Sequence, residues 1–326
     1  MDILKQSDYK KRMQQEVEPQ LEAIRREQNV QVQDGQLRVE IFTPDSSAAV
    51  LLLLHGFTES SVKFREMIWY FTRAGLTVVA PDQRGHGESL RLVEDPSTVH
   101  VERFEDYVED AQAIVREVID PILAQRPLLL FGHSMGGAVA AFLAAREPRF
   151  SRVLLSSPMI SPSFGNIPMW VGKALAACQV GLGRGKKMAF ISSQYDPQKD
   201  TFEQSCDTCR ERFEYYKEIR QKGNTLITNG PTYRWVLESI GVTQRLLSPA
   251  VAGKIEAEVL LCQAGRDTAV NLPEQDEFIS KLKHGYKALF PQAKHEIYFS
   301  EDPDMQRYVP MAVSFLAEGR VPENQA

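Results

Sequence analysis

The chain has 326 residues, 43% of them hydrophobic and 25% charged, with a formal net charge of −5. That is the composition of a folded globular protein, and it lacks the basic field nucleic acid demands, so a small molecule or lipid is the expected partner. The first residues lack the apolar core of a secretory signal and the longest apolar run, Ala48 to Leu54, is far too short to span a bilayer, which predicts a cytoplasmic protein.

Residues 1–28 are predicted to form an N-terminal helical extension. Met13, Val17, Leu21 and Ile24 line one face, Pro19 marks a kink, and six basic residues balance six acidic ones, which favours docking on the body over resting on a membrane. Val30 to Val32 and Leu37 to Phe42 alternate apolar and polar around Asp34-Gly35, the pattern of a hairpin. Short apolar runs then alternate with helical stretches: Ala48–Leu54, Val62–Ala74, Leu76–Ala80, Phe104–Leu123, Leu128–Phe131, a helix after Gly136, and Val153–Ser156. Strands without polar alternation are buried on both faces, so residues 29–160 read as the first part of an α/β core with a mostly parallel sheet and helices on both faces.

The rhythm breaks over residues 161–250, which are predicted to form an inserted, mainly helical cap. It holds the apolar stretch Ile167 to Leu182, an amphipathic helix from Phe202 to Lys222, and the segment Asn229 to Ile240. On that amphipathic helix Phe202, Cys206, Cys209, Phe213, Tyr216 and Ile219 recur at helical spacing, so the Cys206–Cys209 pair is expected to be part of an apolar face. No second C-x-x-C or nearby histidine completes a zinc site, so no metal is expected. Gly181 to Lys187 lacks phosphate-loop spacing and reads as a basic turn. Residues 251–326 resume the core with a strand at Val259–Gln263, a helix near Pro273–His284, a strand at Tyr286–Phe290 and a last helix from Asp304 to Glu318.

The chemistry centres on Gly132-His133-Ser134-Met135-Gly136, set between a buried strand and a helix start. A serine on such a strand-to-helix turn is a candidate nucleophile, and the turn needs small residues two positions either side of it. A serine hydroxyl requires a base, and the base an acid that fixes its tautomer. In a doubly wound sheet these groups gather at the carboxyl ends of strands. Asp267 follows the strand Val259–Gln263 and His295 follows Tyr286–Phe290, giving the chain order Ser134, Asp267, His295. His133, His284, His86, His100 and His55 are the rivals, each better placed for a structural role. Negative charge developing on a carbonyl oxygen needs two aimed N–H groups. Met135 offers one, and Phe57, in the loop leaving the first parallel strand, is chosen for the other.

These residues resemble the serine hydrolases of the α/β-hydrolase superfamily, in the branch holding monoacylglycerol lipases and bacterial lysophospholipases. The resemblance runs from about Val50 to Leu316, through His55-Gly56, Asp82 to Ser89 and Gly132 to Gly137. Three further segments, His100 to Val108, Gly230 to Ser239 and His295 to Phe299, resemble the lysophospholipase group in particular, whereas His55-Gly56-Phe57 is nearer the general lipase and esterase form. The resemblance implies the triad Ser134, Asp267 and His295, no organic cofactor or metal, and association with the cytoplasmic face of a membrane. In the cap, Trp170 and Leu175 among other apolar residues, with Tyr233 and Trp235 at its mouth, are the expected substrate contacts. A carboxylic ester hydrolase acting on a single-chain glycerolipid is the leading expectation. An aminopeptidase or acyltransferase on the same fold, or a binding protein without catalysis, stays open. The peptidase would need an anionic anchor, for which Asp196, Asp200, Glu203 and Glu214 are the candidates.

Overall fold

A computed structural model describes residues 1–165, 167–190 and 192–321; the last five residues assigned above to the core lie outside that range. The N-terminal segment forms a one-turn 3-10 helix, α1 (Tyr9–Arg12), a π turn (Met13–Val17) and α2 (Glu18–Ile24). The wide turn falls just before Pro19, which has no N–H to give a regular ladder. Met13, Val17 and Leu21 are buried, so the segment docks on the body. The hairpin follows as β1 (Arg25–Val32) and β2 (Gly35–Phe42), so the extension ends at Ile24, four residues before the predicted boundary.

Next come β3 (Ala49–Leu54), α3 (Arg65–Arg73), β4 (Leu76–Pro81), the short β5 (Thr98–Val99), α4 (Glu105–Ile114), α5 (Asp120–Leu123), β6 (Leu128–His133), α6 (Met135–Arg146) and β7 (Phe150–Ser156). The inserted segment contributes α7 (Met169–Gly181), α8 (Arg210–Arg220), a two-residue β8 (Gly230–Pro231) and α9 (Tyr233–Leu246). The chain ends with β9 (Glu258–Ala264), α10 (Leu272–Ser280), β10 (Gly285–Phe290) and α11 (Asp302–Val313). Eight strands form one sheet in the order β1-β2-β4-β3-β6-β7-β9-β10. Only the pairs β1–β2 and β2–β4 are antiparallel; the rest of the sheet is parallel.

The strand pleat explains the apolar runs. Val50, Leu52 and Leu54 of β3 enter one core with α4, α6 and α9, while Leu51 and Leu53 enter the other with α3, α11 and the N-terminal helices. Each such side chain contributes roughly 1.5–3 kcal/mol of burial, and an alternating strand could not serve both faces.

The predicted amphipathic helix is shorter than expected. Phe202–Gln204 is a 3-10 turn and the α-helix starts only at Arg210. Between them the chain leaves helical geometry to bond the segment after β10, through Glu296 N–H to the Cys206 carbonyl (3.2 Å) and Cys209 N–H to the Phe299 carbonyl (3.1 Å). Cys206 and Cys209 therefore do not share a helix face. Tertiary hydrogen bonds outweigh the local periodicity here.

Helix α8 is anchored by a buried ion pair. Arg212, fully buried, donates to both carboxylate oxygens of Glu66 on α3 (2.9 Å each) and to the carbonyls of Leu4 (3.0 Å) and Ser300 (3.1 Å). Helix α9 begins at Thr232, whose hydroxyl oxygen accepts the Trp235 N–H (3.2 Å) as an N-cap. Its packing partner α7 fully buries only Gly172 and Ala176, one turn apart; Met169, Val171, Leu175 and Val180 are half-buried and Trp170 is exposed.

Candidate active site

Ser134 sits between β6 and α6 with φ 50° and ψ −117°, a conformation that costs a non-glycine residue on the order of 1–3 kcal/mol. The surroundings over-determine it. Ser134 N–H donates to the Ser156 carbonyl (3.1 Å), and the Ser134 carbonyl accepts the N–H groups of Gly137 (2.9 Å) and Met159 (2.8 Å). A Cβ on Gly132 would lie 2.8 Å from the Ala140 Cβ and from the Gly137 Cα, and one on Gly136 would collide with the carbonyl oxygens of Leu54 and His55. Those two positions are glycine because strand, helix and neighbouring strand meet there with no room for a methyl group.

Asp267 lies in the loop after β9 and His295 in the loop after β10. His295 Nδ1–H donates to Asp267 Oδ2 at 2.7 Å, and Asp267 Oδ1 accepts the N–H groups of Ala269 (2.8 Å) and Val270 (3.2 Å). The Asp267 side chain is wholly buried. Burial opposes an imidazolium at His295, but the charge and hydrogen bond of Asp267 outweigh it and hold the pKa above its ordinary 6.5. With Nδ1 committed to the carboxylate, Nε2 is the nitrogen left for proton exchange. His295 and Ser134 are both buried. The ring of His133, next to Ser134, packs against that of His295 with centroids 4.9 Å apart. His133 Nδ1 itself is turned to the Ser156 carbonyl (3.1 Å), and burial followed by the His295 charge keeps it neutral. Ser134 Oγ has no hydrogen-bond partner among the described residues.

The loop His55-Gly56-Phe57-Thr58 closes over this elbow. A Cβ on Gly56 would fall 3.1 Å from the Ser134 Cβ, which fixes how near the loop runs to the serine. His55 Nε2 accepts the Gln83 N–H (2.9 Å), and Glu59 Oε2 accepts the Gly56 N–H (2.6 Å), so the loop is tied at both ends. Thr58, at φ 63°, carries backbone strain within it. Among the described residues no acceptor takes the N–H of Phe57 or of Met135, the two amides chosen for an oxyanion.

A buried charged network beside His295 escaped the sequence reading. Lys63 Nζ lies 2.5 Å from Glu296 Oε2 and 3.3 Å from Glu59 Oε1. Tyr298 O–H donates to Glu59, and Asp207 packs its carboxyl against Glu296. Burial disfavours the charge on Lys63, but Glu296 and Glu59 hold its pKa above the usual lysine range. The one signal available was Glu59 and Lys63 four residues apart after a Gly turn, a spacing that ordinarily describes a solvated helix face.

The expected substrate contacts divide. Trp235 is buried, stacks on Phe57 at 4.3 Å between centroids and donates its indole N–H to the Tyr107 hydroxyl (3.1 Å). Tyr233 borders a small apolar cavity lined also by Phe164, Ile167, Ala176, Phe190 and Val236. Leu175 is half-buried on α7. Trp170 is 74% exposed, because α7 buries its small residues Gly172 and Ala176 and leaves the indole in solvent. The peptidase acids are compensated. Asp200 pairs with Arg220 (3.2 Å), Glu203 with Arg210 (2.7 Å), Asp196 with Lys199 (3.8 Å) and Glu214 with Arg210 (3.9 Å). Among the described residues no group of three or more His, Cys, Asp or Glu could hold a metal ion.

The chain is similar to known proteins. Residues 45–302 match the model of a family described as serine aminopeptidase, S33. Lysophospholipase L2 of Escherichia coli K12 is 29% identical over 83% of this chain and 81% of its own. The probable lysophospholipase L2 of Haemophilus influenzae is 26% identical over 80% of this chain and 82% of its own. A monoacylglycerol lipase of Mycolicibacterium smegmatis is 33% identical over 41% of this chain and 47% of its own. Among solved structures, a soluble variant of Saccharomyces cerevisiae monoglyceride lipase superposes with a TM-score of 0.73 at 16% identity, covering 92% of this chain and 97% of that one. The chain belongs to the serine aminopeptidase S33 family of α/β-hydrolases, related to lysophospholipases and monoacylglycerol lipases.

Proposed function

We propose that the protein hydrolyses the ester of a single-chain glycerolipid, a lysophospholipid or a monoacylglycerol, through an acyl-enzyme on Ser134. It is a carboxylic ester hydrolase by its relatives; the triad and the lipid are part of the proposal. His295 Nε2 takes the Ser134 proton as Oγ attacks the acyl carbonyl, and the tetrahedral oxyanion is received by the amides of Met135 and Phe57. His295 then gives the proton to the leaving glycerol oxygen, and a water repeats the sequence to release the fatty acid and restore Ser134. Asp267 keeps the imidazole in the Nδ1–H tautomer throughout.

The observation that carries this is the 2.7 Å His295–Asp267 bond beside a serine held at positive φ. The lipid assignment draws on the names of the relatives and on the apolar cavity beside Tyr233. Peripheral membrane contact is part of the proposal: Trp170, Leu182 and Phe190 lie exposed on the inserted segment, and no helix among the described residues is long and apolar enough to cross a membrane. The family description favours a second reading, an aminopeptidase, but each candidate anchor acid already has a cationic partner. A panel of lysophospholipids, monoacylglycerols, soluble esters and aminoacyl amides, with fluorophosphonate labelling of wild type and Ser134→Ala, tests the proposal. Glycerolipid turnover with labelling confined to wild type is the expected outcome; preference for aminoacyl amides would overturn the lipid assignment, and absence of labelling with no ester cleavage the catalytic one.

A further inference from the structure

We propose that Asp207 is a positioning residue for the histidine loop: as a carboxylic acid it donates a hydrogen bond to the Glu296 carboxylate and clamps the inserted segment against the backbone that carries His295. The inference rests on His295 acting as the base of Ser134.

Glu296 directly follows His295, and its loop is sewn to residues 205–209. Glu296 N–H donates to the Cys206 carbonyl, Cys209 N–H to the Phe299 carbonyl, and Lys294 Nζ to the Ser205 carbonyl (3.0 Å). Asp207 lies inside this seam, 4% exposed, and among the described residues no donor reaches its Oδ1. Its carboxyl instead meets that of Glu296.

Two buried carboxyl groups in contact cannot both ionise. Glu296 is the one that carries the charge, because Lys63 stands 2.5 Å from it, held over the Tyr216 and Phe299 rings at 5.1 Å each. The charged groups facing Asp207 are Glu296, Glu59 and Lys63, with Tyr298 and Cys206 neutral beside them. Across a small cavity, Lys217 donates to the Asp200 carbonyl and Arg220 to the Asp200 carboxylate. Lys63 is already shared by two carboxylates, Glu296 and Glu59, and an ionised Asp207 would add a third. Burial, with the Glu296 charge added, pushes the Asp207 carboxyl well above its usual range. The neutral acid supplies Glu296 with a second donor besides Lys63.

A histidine base loses rate steeply when it shifts by an ångström. The test uses the full chain, kcat and KM on a short-chain p-nitrophenyl ester across pH, and thermal melts, for wild type, Asp207→Asn, Asp207→Ala and Ser134→Ala. Asn keeps an N–H donor toward Glu296 and is expected to stay within about twofold of wild type. Ala is expected to lose roughly 10–100-fold in kcat with KM little changed. Wild type should also lose activity as pH rises through the raised Asp207 pKa, where Asp207 ionises and repels Glu296, whereas Asp207→Asn should show no such loss. An Asn variant as impaired as Ala would show that the anion is the active form, and an Ala variant matching folded wild type would remove the role. Should Ala fail to fold, a loss of activity with rising pH in Asp207→Asn that coincides with that of wild type overturns the proposal. If Ser134→Ala keeps full activity, the catalytic assignment itself has failed, separately from Asp207.

Discussion

The two halves of the site are built from different forces. Around Ser134 the geometry is set by shape: Gly132 and Gly136 let backbone meet backbone, and main-chain hydrogen bonds hold the strained turn. Around His295 it is set by charge: Asp267, Glu59, Lys63, Glu296 and Asp207 form a buried polar shell, with the Arg212–Glu66 pair locking α8 nearby. Close packing of backbone admits one solution, whereas buried charges tolerate exchange only when the whole set is exchanged. The shaped half should therefore fail by collision and the charged half by loss of a partner.

The largest effects test the chemistry shared by both halves. Ser134→Ala should lower turnover by about 10⁴-fold or more and abolish fluorophosphonate labelling while leaving the melt unchanged. Asp267→Asn should cost about 10⁴-fold in kcat by removing the acceptor that fixes the imidazole tautomer. The pH profile then reports the charged half directly. A base must be neutral, so wild-type kcat/KM should rise with pH through the His295 pKa, which lies above 6.5. Without the Asp267 charge, burial is opposed only by the Glu296 and Glu59 charges, and the residual acid limb should move to lower pH. A limb that stays in place would show that another group sets it.

Stability separates the halves more cleanly. Arg212→Ala leaves Glu66 buried without its cation and should cost about 3–5 kcal/mol in urea denaturation. Replacing both partners, Arg212→Met with Glu66→Leu, should recover much of that, because the unpaired charge is gone. Gly136→Ala should cost about 1–3 kcal/mol from overpacking, and no second substitution should rescue it, since the colliding atoms are the main-chain oxygens of Leu54 and His55. Rescue of Gly136→Ala by a neighbouring side-chain change would break the distinction.

The same division decides what the sequence reveals. The elbow is legible because its parts lie within five residues and each position has a steric requirement. The parallel strands are legible because burial on both faces removes alternation. Asp267 and His295 are found through chain order and strand ends, which topology imposes. Glu59, Lys63, Asp207 and Glu296 share a site but span more than two hundred residues, and each alone resembles a surface charge. The helix predicted from Phe202 fails for a related reason: residues 205–209 give up local hydrogen bonds for partners near 296 and 299. The exposure of Trp170 is not legible, because an apolar helix gives no sign of its inner side until the packing of α7 through Gly172 and Ala176 is seen.

The smallest prediction lies at a joint where local and long-range signals coincide. Thr232 caps α9 by accepting the Trp235 N–H, and its own N–H donates to the Val99 carbonyl (2.9 Å), tying β8 to β5. Burial keeps His100 neutral, and its Nε2–H faces Glu102 Oε1 (3.1 Å), so its Nδ1 accepts the Thr232 hydroxyl proton at 2.9 Å. One hydroxyl thus serves a helix end and a buried imidazole at once. Thr232→Ala should cost about 1 kcal/mol with little change in kcat, because neither bond touches Ser134, Asp267 or His295. Thr232→Ser keeps both bonds and should stay within a few tenths of a kcal/mol of wild type, roughly the spread among good N-caps. Thr232→Val keeps the shape but not the oxygen, so it should melt with Ala. A Val variant as stable as wild type would mean that this joint is held by packing, like the elbow, and not by its hydrogen bonds.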